Sequence, residues 1–490
     1  MGLKDAWAYL ALRAFNGALA FASLACLTRW LDAEAYGRYA LGIGLIGAAA
    51  SISYQWLGTA TGRFYAVHSA APDGLLATVL RTWCALSLGL LALAWLAHAL
   101  GWQSLFNPMQ WLLISVGAIL MGLFNLFLQW ANARAEPRRY GRMTVLRAAL
   151  ALGLAALVLR WPGLPGSWAG ETLALACAVA ALLVACALAG IANPAALRHG
   201  AAPVALAPLA RYGLPQAGGF LAIMVLDQSD RFIIQHWQGS AAVGGYAAGY
   251  DLAQQSMGVL LNVFYLGAFP HLVRLHEQGS QTAARELYVQ TAETVMLVAG
   301  FAAAVFIVLS SAMARLIFGQ GVAQLAAEIM PWIAVAIALG GIKAYVLDLG
   351  FQLHKRTRAT LLMTAFMALL NIALNLLLVP HFGVIAAAWS AVAAFGLGAG
   401  WSYLWGRHRL QMPALGRCML GSVTATMTAV AVGSYGKAIW MPDSPTLLAT
   451  VLTGLLMTAS YFLVALGLDL AAFRQLTGRM VRRLVGHRIS

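Results

Sequence analysis

The residues of this sequence best able to do chemistry are charged side chains inside long apolar runs. Residues 6–28 form such a run and carry Arg13; a bilayer crossing takes about 20 mostly apolar residues. An arginine within a span costs at least about 2.5–3.5 kcal/mol on insertion scales, so its guanidinium must face protein, water or an anion. Arg13, Asn16, Ala20 and Ser23 recur at helical spacing and share one face. That face reads as the wall of a hydrated cavity; the alternative is that Arg13 snorkels to the inner headgroups. Arg63 stands at the inner end of the second run, and Lys343 follows Gly340-Gly341 in a later one. Cations so placed suit an anionic headgroup, most naturally a pyrophosphate, held by charge-assisted hydrogen bonds. Asp227, Asp230 and Asp251, with Arg231 adjoining Asp230, fall in the outer halves of their runs. Carboxylates inside a membrane suit proton or cation coupling. Two plainer readings stay open: an ion pair at Asp230 and Arg231, and one between Lys343 and Asp348.

Other runs also carry polar residues at helical spacing: Asn125, Gln129 and Asn132; Gln216 with Asp227 and Asp230; Asp251, Gln254, Asn262 and Tyr265; Asn371 and Asn375. One such face is usually an interhelical hydrogen bond; several together predict a shared polar interior.

The elements that must position these residues are membrane helices. Of 490 residues 61% are hydrophobic and 10% charged, too few charges to solvate a globular surface, so a polytopic all-α membrane protein is expected. About fourteen spans are predicted, centred from Leu19 to Leu455. Most of the 31 lysines and arginines fall in alternate connections, which predicts both termini on the cytoplasmic side. The same distribution explains the net charge of +15 without nucleic acid. The five cysteines form no CxxC pair and predict neither disulfides nor a metal site. No GxxxxGK[ST] loop, HExxH or nucleophile elbow occurs, so no enzyme, cofactor or nucleotide engine is expected.

The chain also echoes itself. Trp30, Ala35, Gly37, Tyr39 and Ala40 after the first span align without a gap on the identical Trp237, Ala242, Gly244, Tyr246 and Ala247 after the seventh. This predicts two six-span lobes related by a pseudo-two-fold around a central cavity. The expected limits are 1–192 for the first lobe, 193–210 for a cytoplasmic linker and 211–410 for the second lobe. Residues 411–490 then hold spans thirteen and fourteen and a basic tail.

An arginine in the first span followed by Leu31-Asp32-Ala33-Glu34-Ala35-Tyr36-Gly37-Arg38-Tyr39 resembles the start of the Wzx-type polysaccharide flippases. These belong to the multidrug/oligosaccharidyl-lipid/polysaccharide exporter superfamily. Asp230-Arg231-Phe232-Ile233-Ile234 is similar to the end of that family's seventh span. Leu370-Asn371-Ile372-Ala373-Leu374-Asn375 and Pro380-His381-Phe382-Gly383-Val384 are similar to its eleventh and twelfth. The resemblance implies translocation of an undecaprenyl-diphosphate-linked oligosaccharide from the inner to the outer leaflet of a bacterial inner membrane by alternating access. Implied partners are that lipid, membrane lipids, a polysaccharide polymerase and chain-length regulator, and H+ or Na+ as coupling ion. Arg13 and Arg231 match positions where relatives carry charge. The alternatives are a multidrug or cation antiporter of the same superfamily, a membrane enzyme such as an O-antigen polymerase or ligase, and a scaffold for polysaccharide assembly. The sequence lacks the long outer loop of the polymerases and ligases.

Overall fold

Apolar stretches of 21 to 38 residues, separated by short polar turns, set the helix boundaries of this protein. The computed structural model describes residues 3–69, 72–99, 105–161, 170–191, 204–410, 412–441 and 446–468; the side chains of 3–11, 13, 97, 191, 266, 357 and 409 are outside this set. Fourteen long helices are described: α1 (Leu3–Trp30), α2 (Ala33–Tyr65), α3 (Pro72–Ala99), α4 (Pro108–Ala133), α5 (Pro137–Leu159), α6 (Gly170–Ile191), α7 (Leu206–Gln238), α8 (Ser240–Glu277), α9 (Gln281–Ile317), α10 (Gln320–Leu353), α11 (Thr357–Phe382), α12 (Ile385–Leu410), α13 (Gly416–Trp440) and α14 (Leu447–Gly467). Helices α2 to α14 each hold a stretch apolar and long enough to span a bilayer. With α1 they make the fourteen expected spans.

The termini of these helices follow from local chemistry. Asp32 accepts from the Ala35 amide at 2.7 Å and caps α2. Asn107 and Gln110 satisfy each other's backbone amides before α4, and Pro108 supplies a first helical residue that needs no amide partner. The inner turns share one geometry. Ala135 (φ 55°), Gly279 (φ 75°) and Lys355 (φ 58°) are left-handed. The next amide in each reaches back five residues: Glu136 to Ala131 at 2.9 Å, Ser280 to Leu275 at 3.1 Å, Arg356 to Phe351 at 2.8 Å. This is the Schellman closure. The turns after the fourth and tenth spans therefore match in hydrogen bonding, as a repeat requires.

Two compact units divide at Gly244. The first holds α1 to α7 and the opening turn of α8; the second holds the remainder. Residues 193–203 of the expected linker are outside the described set, and 206–210 are part of α7. Helix α7 joins the first unit because it lies along α2 on a line of close approaches. A side chain at Gly213 would meet the Trp56 carbonyl oxygen at 2.5 Å, and one at Gly44 would strike the Gln228 amide oxygen.

The echo is explained at the outer end of that seam. A Cβ on Gly37 would overlap the Ser240 carbonyl and come within 2.9 Å of the Gly244 nitrogen; one on Gly244 would overlap the Ala33 carbonyl. Gly37 and Gly244 correspond in the echo, as do Ala33 and Ser240. Both glycines are needed because backbone meets backbone at this contact.

In the second unit α13 and α14 pack on α9. Tyr461 donates to the Leu297 carbonyl and Ser422 to that of Met296, each at 2.7 Å. Ala304, Val308, Ala425, Ala429 and Met457 fill the seam.

Candidate functional site

In the first unit α5 runs beside α1 and α6, with Leu12 of α1 seated on Gly141. Arg147 extends from α5 toward α4, its guanidinium carbon 5.4 Å from the centre of the Phe124 ring. At 1.5 Å per residue it lies about 15 Å from Pro137, well inside the span. Its Nε is buried without a hydrogen bond, and no described carboxylate pairs with it. A ring face attracts a cation by about 0.5–2 kcal/mol, well short of a counter-ion. Asn16 of α1 is half-buried and its Oδ1 is buried without a partner. The side chain of Arg13, one turn earlier, is outside the described residues. Arg63 is exposed in the last turn of α2.

Helix α7 carries the outer charges of this unit. Asp230 and Arg231 are buried; Asp227 is half-buried, one turn before Arg231 and in electrostatic contact with it. Helix α7 thus carries two carboxylates and one guanidinium within five residues. At the outer ends of α2, α4 and α6, Arg38 donates to Glu171 at 2.8 Å and pairs with Glu34; Gln110 donates to Glu171 at 3.4 Å and to Thr172 at 3.1 Å. Most of the motif at 31–39 is accounted for by these contacts: a cap (Asp32), a clasp (Glu34, Arg38) and a close approach (Gly37).

In the second unit Lys343 donates to Asp348 Oδ2 at 2.8 Å, and both are buried. An ordinary helix turns residues five apart to different faces. Here residues 343–347 form a π-turn, whose wider winding brings Lys343 and Asp348 together. Tyr288 of α9 donates to the Val346 carbonyl within that turn at 2.9 Å. Lys343 is therefore not a free cavity cation as first expected; its charge is matched inside the same helix. Asp251, half-buried on α8, belongs to this unit as well. Asn371 and Asn375 of α11 are buried and bonded to each other at 3.1 Å.

The expected site residues are thus divided. Asp227, Asp230 and Arg231 come together on α7; Asn16 and Arg63 are on separate helices of the same unit; Lys343 and Asp251 are in the other unit. Sequence reasoning missed Arg147, grouped with the inner-turn arginines 134–142. The available signal was its setting: Val145-Leu146 precede it and Ala148-Ala149-Leu150 follow. No cluster of metal-binding side chains occurs among the described residues.

Residues 3–276 match the family model described as polysaccharide biosynthesis protein. The chain belongs to that family. Residues 231–452 match a second model, described as lipid II flippase MurJ. Among solved structures, the inward closed conformation of the lipid II flippase MurJ is similar over 93% of this chain and 97% of that one, with TM-score 0.72 at 11% identity. An inward-facing multidrug resistance MATE family transporter of the MOP superfamily covers 81% of this chain and 94% of its own, with TM-score 0.63 at 13% identity. A MOP superfamily transporter from Pyrococcus furiosus covers 82% and 93%, with TM-score 0.50 at 14% identity. Comparison with curated protein sequences gave no significant match. This family member is a multi-pass membrane protein that shares its fold with these proteins.

Proposed function

We propose that the protein moves a lipid-linked oligosaccharide, held by the diphosphate of an undecaprenyl carrier, from the inner to the outer leaflet of a bacterial inner membrane. The reading is supported by the two family models, one for polysaccharide biosynthesis and one for a lipid flippase. The observation that carries the substrate class is Arg147, a guanidinium inside the membrane with an aromatic ring and no described carboxylate beside it. A half-buried guanidinium with no described counter-ion is stabilised by an arriving anion, and a diphosphate matches the guanidinium fork. Arg13, Asn16 and Arg63 are the further headgroup contacts in this proposal. Lys343, matched by Asp348, holds the π-turn of α10. Asp227, Asp230, Arg231 and Asp251 are the candidates for H+ or Na+ coupling, and alternating exposure of the headgroup site to the two leaflets accomplishes transport. A polymerase and a chain-length regulator are the expected downstream partners.

Complementation of a flippase-deficient strain tests this. Arg147→Ala removes a charge-assisted contact worth about 2–5 kcal/mol, a loss of about thirtyfold or more in transport. Arg147→Lys retains part of the activity, and drug sensitivity of the host is unchanged. Full complementation by Arg147→Ala, or drug resistance conferred without complementation, overturns the reading in favour of a cation antiporter.

A further inference from the structure

At the inner corner of the first unit, α5, the turn before it and α6 line a groove of about 630 Å³. Its walls are of two kinds. Arg138, Arg139 and Arg142 supply the charged part, and Met143, Leu146 and Leu188 the apolar part. The groove also contains Glu136, but that carboxylate is already occupied. Its two oxygens take Arg134 at 2.9 Å and Arg139 at 3.2 Å. Arg139 in turn donates its other arm to the Ala189 carbonyl at 3.4 Å, near the end of α6. Arg139 is thereby committed to tying α5 to α6. Arg138 and Arg142 are exposed at the rim, and Arg142 has no ion-pair partner among the described residues.

We infer that this groove binds the headgroup of an anionic phospholipid from the inner leaflet. The lining holds three guanidiniums and one engaged carboxylate, and Arg142, with no ion-pair partner among the described residues, leaves positive charge at the rim. The corner lies on the cytoplasmic side, where anionic lipids and juxtamembrane arginines attract one another. A soluble anion would have no use for the apolar wall. A phospholipid does: Leu188 and Val184, one helical turn apart on α6, are both exposed and lead from the groove toward the bilayer interior, a track for an acyl chain. Arg147, set against Phe124, is not among the residues that line the groove, and the inference stands whatever the cargo is.

The test is lipid titration of the purified full-length protein in a zwitterionic detergent, read by native mass spectrometry, with phosphatidylglycerol and phosphatidylcholine as probes. The wild type binds phosphatidylglycerol selectively. Removing a surface arginine weakens anionic lipid binding about fivefold, so Arg138→Gln with Arg142→Gln lowers it roughly 20- to 30-fold and leaves phosphatidylcholine unchanged. Arg356→Gln with Arg358→Gln, at the matching inner turn of the second unit, removes the same charge and leaves the tight phosphatidylglycerol site intact. Arg142→Glu alone, at an exposed position that any folded chain tolerates, abolishes the selectivity. Equal losses in the two double variants, no loss in either, or full displacement of phosphatidylglycerol by millimolar inorganic phosphate each overturn the inference. The first two mean diffuse surface charge or none; the third means that the acyl chain takes no part.

Discussion

Removing Lys343 alone should be much more damaging than removing it together with Asp348. The pair is 4% and 5% exposed, and the Lys343 ammonium holds Asp348 Oδ2 at 2.8 Å while Oδ1 is buried without a hydrogen bond. Lys343→Met therefore strands a carboxylate with no partner on either oxygen. Breaking one side of a buried pair costs about 3–5 kcal/mol, whereas replacing both sides by apolar groups is close to neutral. A unit of about 250 residues has an unfolding entropy of roughly 0.5 kcal/mol/K, so the single variant lowers the apparent melting temperature by about 6–10 °C. Asp348→Leu alone behaves alike, and Lys343→Met with Asp348→Leu returns to within about 2–3 °C of the wild type, a shift worth about 1 kcal/mol on the same scale. The cycle isolates the coupling between the two side chains. The assay is thermal unfolding in detergent by tryptophan fluorescence, with transport measured on the same preparations. The double variant is stable and transports. A single-variant loss below about 1 kcal/mol contradicts the buried-pair reasoning. A stable double variant that no longer transports returns Lys343 to the headgroup site.

Other consequences follow from the packing. Gly37→Ala drives a Cβ into the Ser240 carbonyl, where only backbone can yield, while Gly44→Ala meets the end of the Gln228 side chain, which can swing away. Overpacking of the first kind costs about 1–3 kcal/mol; thermal unfolding should separate the two, and equal melting temperatures contradict the close-contact account. Glu171→Gln loses the charge that Arg38 and Gln110 share at the outer end of the first unit. Hydrogen bonds to charged groups are worth about 1.5–3 kcal/mol, with Glu34 left to take up part of the loss, so a melting temperature lowered by about 2–4 °C is expected and an unchanged one removes the clasp from the account.

The helix count and the repeat were legible in the sequence because both rest on local signals. Apolar length fixes a span, and the glycines of the echo stand where two backbones must touch. The division at Gly244 was not legible, since it depends on Gly44 and Gly213 letting α7 lie along α2, a contact between segments far apart in the chain. The site was partly legible. Lys343 and Asp348 were visible as a possible pair, but the π-turn that joins them leaves no clear mark in the sequence. Arg147 was masked by the arginines just before it, which made a half-buried charge within the span look like one more member of a topogenic cluster.

The central claim is the movement of an anionic lipid-linked glycan across the bilayer. Its most direct test is reconstitution of the purified protein in vesicles carrying a lipid-linked oligosaccharide in one leaflet, with a lectin or glycosidase reporting the glycan on the other. Wild-type protein brings the glycan to the second leaflet, and Arg147→Ala slows this about thirtyfold or more while a neutral-headgroup analogue is not moved by either. Glycan that stays in its leaflet with folded wild-type protein under an imposed H+ or Na+ gradient, or neutral analogue moved as fast as the diphosphate, contradicts the account.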